Sequence, residues 1–195
     1  MKELVLDTSS QYLYINFIID GESKYLVQSE GKNNHSDNLL KDIEIGLNEL
    51  NLKVNDFDRI VCGYGPGMYT GLRVSLTVAK MFAWTLNKPL YVLSSLDLVS
   101  SGYFKKEGKY LVMMKAKKDY SYTKAFMIKD GKYILLSKEK FLNNEEFLKQ
   151  YILDDYVIID NSKINIDYFN IDESLKKEIK DIHILEPNYL REDVI

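Results

Sequence analysis

Gly63-Tyr64-Gly65-Pro66-Gly67-Met68-Tyr69-Thr70-Gly71-Leu72-Arg73-Val74-Ser75 joins a short apolar strand, Asp58 to Cys62, to a long helical pattern. Three glycines within five residues make a tight loop that delivers backbone amides to a helix start. Two readings stand at this point: a loop that holds a ligand, or a backbone crossing packed too closely for side chains. The first points to an enzyme and the second to a partner protein. As a nucleotide motif the loop is incomplete. It is not the Gly-x-Gly-x-x-Gly of dinucleotide binders, and no Gly-Lys-Ser/Thr follows to make a P-loop. Lys80 falls about two and a half turns into the helix, and Pro66 removes an amide that a phosphate cradle would use.

Upstream of the loop, the chain reads as strands at Glu3 to Asp7, Tyr12 to Ile19 and Lys24 to Ser29, the last two joined by Asp20-Gly21, a hairpin signal. Leu39, Leu40, Ile43, Leu47 and Leu50 then recur at helical spacing, giving helix one from about Asp37 to Leu50 with Ser36 as its N-cap. Downstream come helix two, Thr70 to Asn87, a strand at Pro89 to Leu93, and a helix capped by Ser94 or Ser95. From about Lys109 the order restarts: strands at Tyr110 to Ala116 and Tyr120 to Ile128, the turn Asp130-Gly131, then a strand at Tyr133 to Ser137. A helix near Glu145 to Leu153, a strand at Tyr156 to Asp160 and a helix near Glu173 to Asp181 complete the pattern. The repeat is one of element order and not of residues. It predicts an α/β protein of two ribonuclease H-like lobes on the actin-like, Hsp70-like plan, with the second reduced. The lobes are expected at residues 1–104 and 105–195.

Helix two carries more apolar surface than one sheet can cover. Leu72, Leu76, Ala79, Ala83 and Leu86 form one face, and Val74, Val78, Met81 and Phe82 form another. Gly71, Ser75, Ala79 and Ala83 make a row of small residues along which a second helix could approach closely. Leaving four large side chains of the second face in water would forgo roughly 6–12 kcal/mol of burial. The spacing therefore predicts either that helix one covers this face, with Ile45 and Gly46 off its main stripe, or that another protein does.

Composition narrows the function classes. The chain has 195 residues, of which 46% are hydrophobic and 28% charged, enough for one domain or two small lobes. No run of about 18 apolar residues is present, and the start, Met-Lys-Glu followed by a strand, indicates neither export nor a membrane anchor. With one cysteine, Cys62, disulfides and cysteine metal clusters within the chain are excluded, which points to the cytoplasm. A formal charge of −3 gives no global attraction to nucleic acid.

Gly65-Pro66-Gly67-Met68-Tyr69-Thr70-Gly71-Leu72-Arg73, continuing to Ala79-Lys80 and to Ser94-Ser95-Leu96, resembles the hallmark of the TsaB (YeaZ-like) family of bacterial tRNA threonylcarbamoyladenosine biosynthesis proteins. Asp7-Thr8-Ser9 after the first strand, His35-Ser36 opening helix one and Pro187-Asn188-Tyr189-Leu190-Arg191 are similar to the family's pattern in the same order. The likeness is dense over the first hundred residues and thin beyond. It implies a non-catalytic member of the actin-like ATPase superfamily that pairs with the catalytic relative TsaD and acts with the ATPase TsaE, touching tRNA only through the complex. It also implies that helices one and two form the pairing surface with TsaD, or with a second copy when TsaD is absent. The residues expected there are Leu39, Ile43, Gly71, Arg73, Ser75, Val78, Ala79, Phe82 and Ala83. Gly65, Pro66, Gly67, Thr70 and Gly71 would be the structural motif. One departure is plain: the family's Asp-Ala-Arg-Arg-Gly-Glu reads here Lys115-Ala116-Lys117-Lys118-Asp119-Tyr120.

The remaining chemistry-bearing residues are sparse. Asp7-Thr8-Ser9 lies where actin-like ATPases place their first phosphate loop, and Asp7 could hold magnesium through water. With no glycine-rich adenosine loop in the second lobe, the expectation is no cofactor beyond weak or interfacial ATP or ADP. An independent actin-like ATPase or phosphotransferase using Asp7 is the competing function. His35 is followed four residues later by Leu39, not histidine, and His183 lies in the other lobe, so no metal is expected. Cys62 and Ser36 are the available nucleophiles and His35 and His183 the bases; adjacent positions 35 and 36 diverge on a helix, which argues against a hydrolase. Lys105, Lys106, Lys109, Lys115, Lys117 and Lys118, interleaved with Tyr120 and Tyr122, form the densest positive region: a solvated hairpin rim or an RNA-facing surface. Trp84 reads as an interface anchor or a core edge.

Overall fold

The computed structural model describes residues 1–30, 35–151 and 155–190. These fall into two compact units, each described by itself. The first comprises Met1–Ser95 together with Ser174–Pro187; the second comprises Leu96–Glu173 and the residues from Asn188 onward.

The first unit opens with a meander, β1 (Lys2–Asp7), β2 (Tyr12–Ile19) and β3 (Glu22–Glu30), whose strands alternate in direction. Asp20 (φ 52°) and Gly21 (φ 81°) both take the left-handed region, as the tight turn between twisted strands requires. After α1 (His35–Glu49) come β4 (Arg59–Gly63), α2 (Tyr69–Thr85) and β5 (Leu90–Leu93). β4 runs parallel to β1, and β5 parallel to β4. The sheet order is β10-β5-β4-β1-β2-β3. From β3 to β5 it is three-two-one-four-five, the ribonuclease H order expected from the sequence. Both central strands are buried on both faces, which is why β1 and β4 read as continuous apolar runs. The core gathers Leu4, Leu6, Ile15, Phe17, Leu39, Ile43, Phe57 and Ile60 with one face of α2.

The last strand is a departure from the sequence reading. Where a helix is expected over Glu173 to Asp181, the chain makes a single 3-10 turn at Glu173–Leu175 and then β10 (Lys177–Ile179), antiparallel to β5. Ile179, Ile182 and Leu185 pack against the first core. This burial, together with the open edge of β5, overrides the helical propensity of a lysine- and glutamate-rich segment. It also places Ser174–Pro187 in the first unit, so the division differs from the expected boundary after residue 104.

The second unit begins at Leu96, within α3 (Ser95–Ser100), followed by β6 (Gly108–Lys117), β7 (Tyr120–Lys129), β8 (Lys132–Asn143), α4 (Asn144–Lys149) and β9 (Tyr156–Ile159). Its sheet order, β8-β7-β6-β9, is three-two-one-four, with β6 and β9 parallel. Among the described residues it has two strands fewer than the first sheet, with no counterpart of β5 or β10, which is the reduction the sequence implied. β8 is longer than its sequence reading because it stays paired to β7 as far as Asn143. α4 is shorter than the helix expected to reach Leu153, a position outside the described residues, while α1 starts at His35, so Ser36, the expected N-cap, falls inside the helix. Asn143 caps α4, its side chain accepting from the amides of Glu145 and Glu146.

Candidate functional site

The loop after β4 packs against the turn after β1, and three of its close approaches fall on glycines. A Cβ on Gly63 would lie 1.7 Å from Asp7 Oδ2, one on Gly67 2.4 Å from the Ser9 carbonyl oxygen, and one on Gly71 1.8 Å from that of Thr8. Gly63, Gly67 and Gly71 therefore recur because Asp7-Thr8-Ser9 occupies the space their side chains would fill. The crossing is also tied by hydrogen bonds. Thr8 Oγ1 donates to the Gly71 carbonyl (2.6 Å), and the Met68 amide donates to the Ser9 carbonyl (2.7 Å). The Gly65 amide donates to Ser95 Oγ (3.0 Å), and the Ser95 amide returns to the Gly65 carbonyl (2.9 Å). Gly65 itself has φ 112° and precedes a cis peptide bond to Pro66.

This geometry bears on the two readings of the loop. The amides of Gly65 and Met68, which a phosphate cradle would need, already have protein acceptors. Asp7 is 3% exposed; its Oδ1 accepts from the Ser9 amide (2.6 Å), while Oδ2 is buried without a hydrogen-bond partner. Burial pushes its carboxyl above the ordinary aspartate range, opposed by the bonds from Ser9. Asp7, Thr8 and Ser9, expected as a weak nucleotide loop, are thus brought onto Gly63, Gly65, Pro66, Gly67 and Gly71 as a closely packed structural junction. Thr70 lies just beyond it, exposed in the first turn of α2. Cys62 is buried, and its thiol is pushed far up by desolvation and by Asp7, the opposite direction from an activated thiolate.

The residues expected on a pairing surface divide. Leu39, Ile43, Ser75, Val78, Ala79 and Ala83 are buried, all but Ser75 within the core cluster of the first unit, and Phe82 is half-buried against that cluster. Gly71 faces Thr8 and not a helix. Arg73 alone of the set is exposed, its guanidinium 4.1 Å above the Tyr69 ring. The small residues of α2 thus serve close packing on the sheet of its own chain. The second apolar face is largely covered as well, because Val74, Val78 and Phe82 join the core that Ile182 and Leu185 complete. Lys80 Nζ anchors that segment by donating to the Leu185 carbonyl (2.8 Å). Gly46 accommodates Tyr25 and Phe17, whose rings a Cβ would meet within 2.8 Å.

What remains outward on α2, besides Tyr69 and Thr85 at its ends, is one stripe, Thr70, Arg73, Thr77, Met81 and Trp84, close to the polar stripe through Arg73, Thr77 and Trp84 that the spacing predicts. Met81 is 42% and Trp84 64% exposed, with Trp84 edge-on to the exposed His183 ring at 5.4 Å. Leu40 and Ile45 are the exposed apolar residues of α1. His35 and Ser36 have side chains outside the described set. In the second unit the lysine-rich rim is exposed at Lys105, Lys106, Lys115, Lys117 and Lys118, and Lys117 Nζ sits 4.5 Å above the Tyr120 ring. No helix among the described residues is long and apolar enough to cross a membrane.

A ribonuclease H-ordered sheet, a shortened copy of it, and a glycine-lined junction at the first strand's turn define an α/β protein of the actin-like ATPase class. The family described as tRNA N6-adenosine threonylcarbamoyltransferase (TsaD) matches residues 27–186, and the chain belongs to it. It is 27% identical over 218 residues to the tRNA threonylcarbamoyladenosine biosynthesis protein TsaB of Bacillus subtilis, covering 98% of this chain and 94% of that one. It is 32% identical over 96 residues to TsaB of Buchnera aphidicola, covering 49% and 43%. Among solved structures, an uncharacterized Pseudomonas aeruginosa protein with similarity to peptidase YEAZ superposes with a TM-score of 0.80 at 20% identity, covering 97% of this chain and 99% of that one. The TsaB resemblance read from the sequence is borne out by these relatives.

Proposed function

We propose that the chain is a non-catalytic scaffold in the threonylcarbamoyladenosine modification of tRNA, pairing through α1 and α2 with a TsaD-type subunit and acting with a TsaE-type ATPase. In the absence of that subunit the same face would pair two copies of this chain. The observation that carries the reading is the outward stripe of α2. An arginine, a methionine and a tryptophan exposed in one row are the side chains enriched at the centres of protein interfaces, and Trp84 leaves 64% of its surface open beside His183. The junction at Asp7 supports the non-catalytic part, since its amides and its aspartate are engaged in packing.

Co-expression with the TsaD-type protein of the same cell tests it. Trp84→Ala is expected to weaken the pair by about 2 kcal/mol or more, roughly thirtyfold, with the variant's melting temperature within about 2 °C of the parent. Undiminished binding by Trp84→Ala and Met81→Glu together would remove this face from the interface. Turnover of ATP by the isolated chain would remove the scaffold reading in favour of an enzyme.

A further inference from the structure

We propose that the second unit contains a binding site for a phosphate-bearing ligand, in a cavity of about 650 Å³ at the carboxyl ends of β6 and β9. The inference stands on the second unit alone and does not depend on the pairing surface. The position is the one where parallel strands leave a crevice beyond their last residues, and the volume lies in the range of small-molecule sites.

Three lysines, Lys115, Lys117 and Lys118, line this cavity. Lys115 and Lys117, two apart on β6, share a face in simple pleating, and Lys118 follows in the turn. The register of β6 slips between Lys115 and Lys117, and Asp119 closes the turn at φ 61°. A bulge beside a tight turn re-aims side chains, and all three lysines line the one hollow. The walls are fixed from outside β6. The Asn144 amide donates to the Asp119 carbonyl (2.9 Å), and the Lys115 amide donates to Asn161 Oδ1 (2.9 Å).

The cavity has the charge and the floor for an organic phosphate. Lys115 and Lys118 have no carboxylate partner among the described residues. Asp160, one of two acids on the wall, is engaged, its Oδ1 accepting from the Ser162 amide (2.9 Å) and hydroxyl (2.6 Å). Met113, Leu148 and Ile158 supply an apolar floor. Asn144 Oδ1, also on the wall, is buried without a partner, which favours a ligand that brings a hydroxyl or amine donor. Lysines act as point charges toward phosphate oxygens, so a free phosphomonoester and the backbone of an RNA strand share the chemistry.

The test titrates the full chain at low salt with inorganic phosphate in one arm and a short unstructured RNA in the other. Phosphate is expected to bind, with Lys115→Glu/Lys118→Glu weakening it at least about tenfold and Lys129→Glu/Lys132→Glu, at the far hairpin turn, changing it less than about twofold. RNA bound more tightly than phosphate, with a steep salt dependence, identifies the strand as the source; phosphate bound and RNA not identifies a free ligand. Absence of binding in both arms, or equal loss in both double variants, overturns the proposal. Acylation of lysines in the unmodified chain, read by mass spectrometry, probes the same site without a variant: phosphate must protect Lys115 and Lys118, and failure to do so overturns it.

Discussion

Gly71 illustrates how much of this fold turns on single atoms. Its missing side chain admits the Thr8 carbonyl, a backbone group that cannot swing aside, so Gly71→Ala is expected to cost roughly 2–4 kcal/mol, read as a lowered urea midpoint. Gly21→Ala provides the contrast: nothing lies within 4 Å of its Cβ, and only the positive φ resists, for about 1 kcal/mol. A loss at Gly71 no greater than at Gly21 would mean that the two turns are not in contact. Asp7 makes a second case. Because burial raises its folded pKa above the ordinary value of 3.8, the folded state binds the proton more tightly than the unfolded one. Its ionisation therefore removes stability as pH rises through that raised value. Asp7→Asn keeps an acceptor for the Ser9 amide and abolishes this loss, so the variant is expected to melt higher than the parent at pH 7 and near the parent at pH 3.5. Equal melting at pH 7 would show that the carboxylate is solvated. On the same scale, Ala79 and Ala83, at 0% and 1% exposure, are expected to register a charged substitution first as unfolding, whatever its effect on pairing.

At the scale of elements, α3 is bound to β7 and β8 by a buried polar cluster that sequence patterning did not reveal. Lys124 Nζ donates to Asp97 Oδ2 (2.6 Å) and Glu139 Oε1 (3.0 Å), and Tyr133 donates to Asp97 Oδ1 (3.1 Å). Asp97 and Lys124 are almost fully buried, and desolvation pushes the Asp97 carboxyl up against the opposing pull of Lys124. Removing one charge strands the other, so Lys124→Ala is expected to cost about 3–5 kcal/mol, while Asp97→Leu/Lys124→Met recovers most of that loss. A denaturant-based double-mutant cycle with no coupling would show the pair to be independent. A lysine in the middle of β7 reads in sequence as an outward residue, since no periodicity marks a buried charge. The strands and hairpins, by contrast, were legible because Asp20-Gly21 and Asp130-Gly131 name their turn type outright. The segment after Glu173 was not, because its strand exists only by pairing with the edge of β5. For α2, spacing identified two apolar faces and left open which would turn inward. The sheet on one side and Ile182 with Leu185 on the other decide that, and neither is local in the chain.

On the scale of the whole molecule, two sheets of one topological plan carry separate cores. The first combines strands from both ends of the chain with α1 and α2, while a smaller cluster, Leu111, Met113, Ala125 and Phe147, lies between β6, β7 and α4 of the second. Apolar burial sets the greater part of unfolding free energy, so the second unit, which buries fewer apolar side chains among the described residues, is expected to be the weaker one. The molecule contains a single tryptophan, Trp84, which reports on the first unit alone, whereas far-ultraviolet circular dichroism reports on both. Urea titration followed by the two signals is therefore expected to give transitions that do not coincide, the dichroism beginning to fall at lower urea. Phe147→Ala, which empties a fully buried site of the smaller cluster, should widen the gap by moving the early dichroism loss and leaving the tryptophan midpoint in place. Coincident transitions that Phe147→Ala shifts together would show that the two cores unfold as one cooperative body.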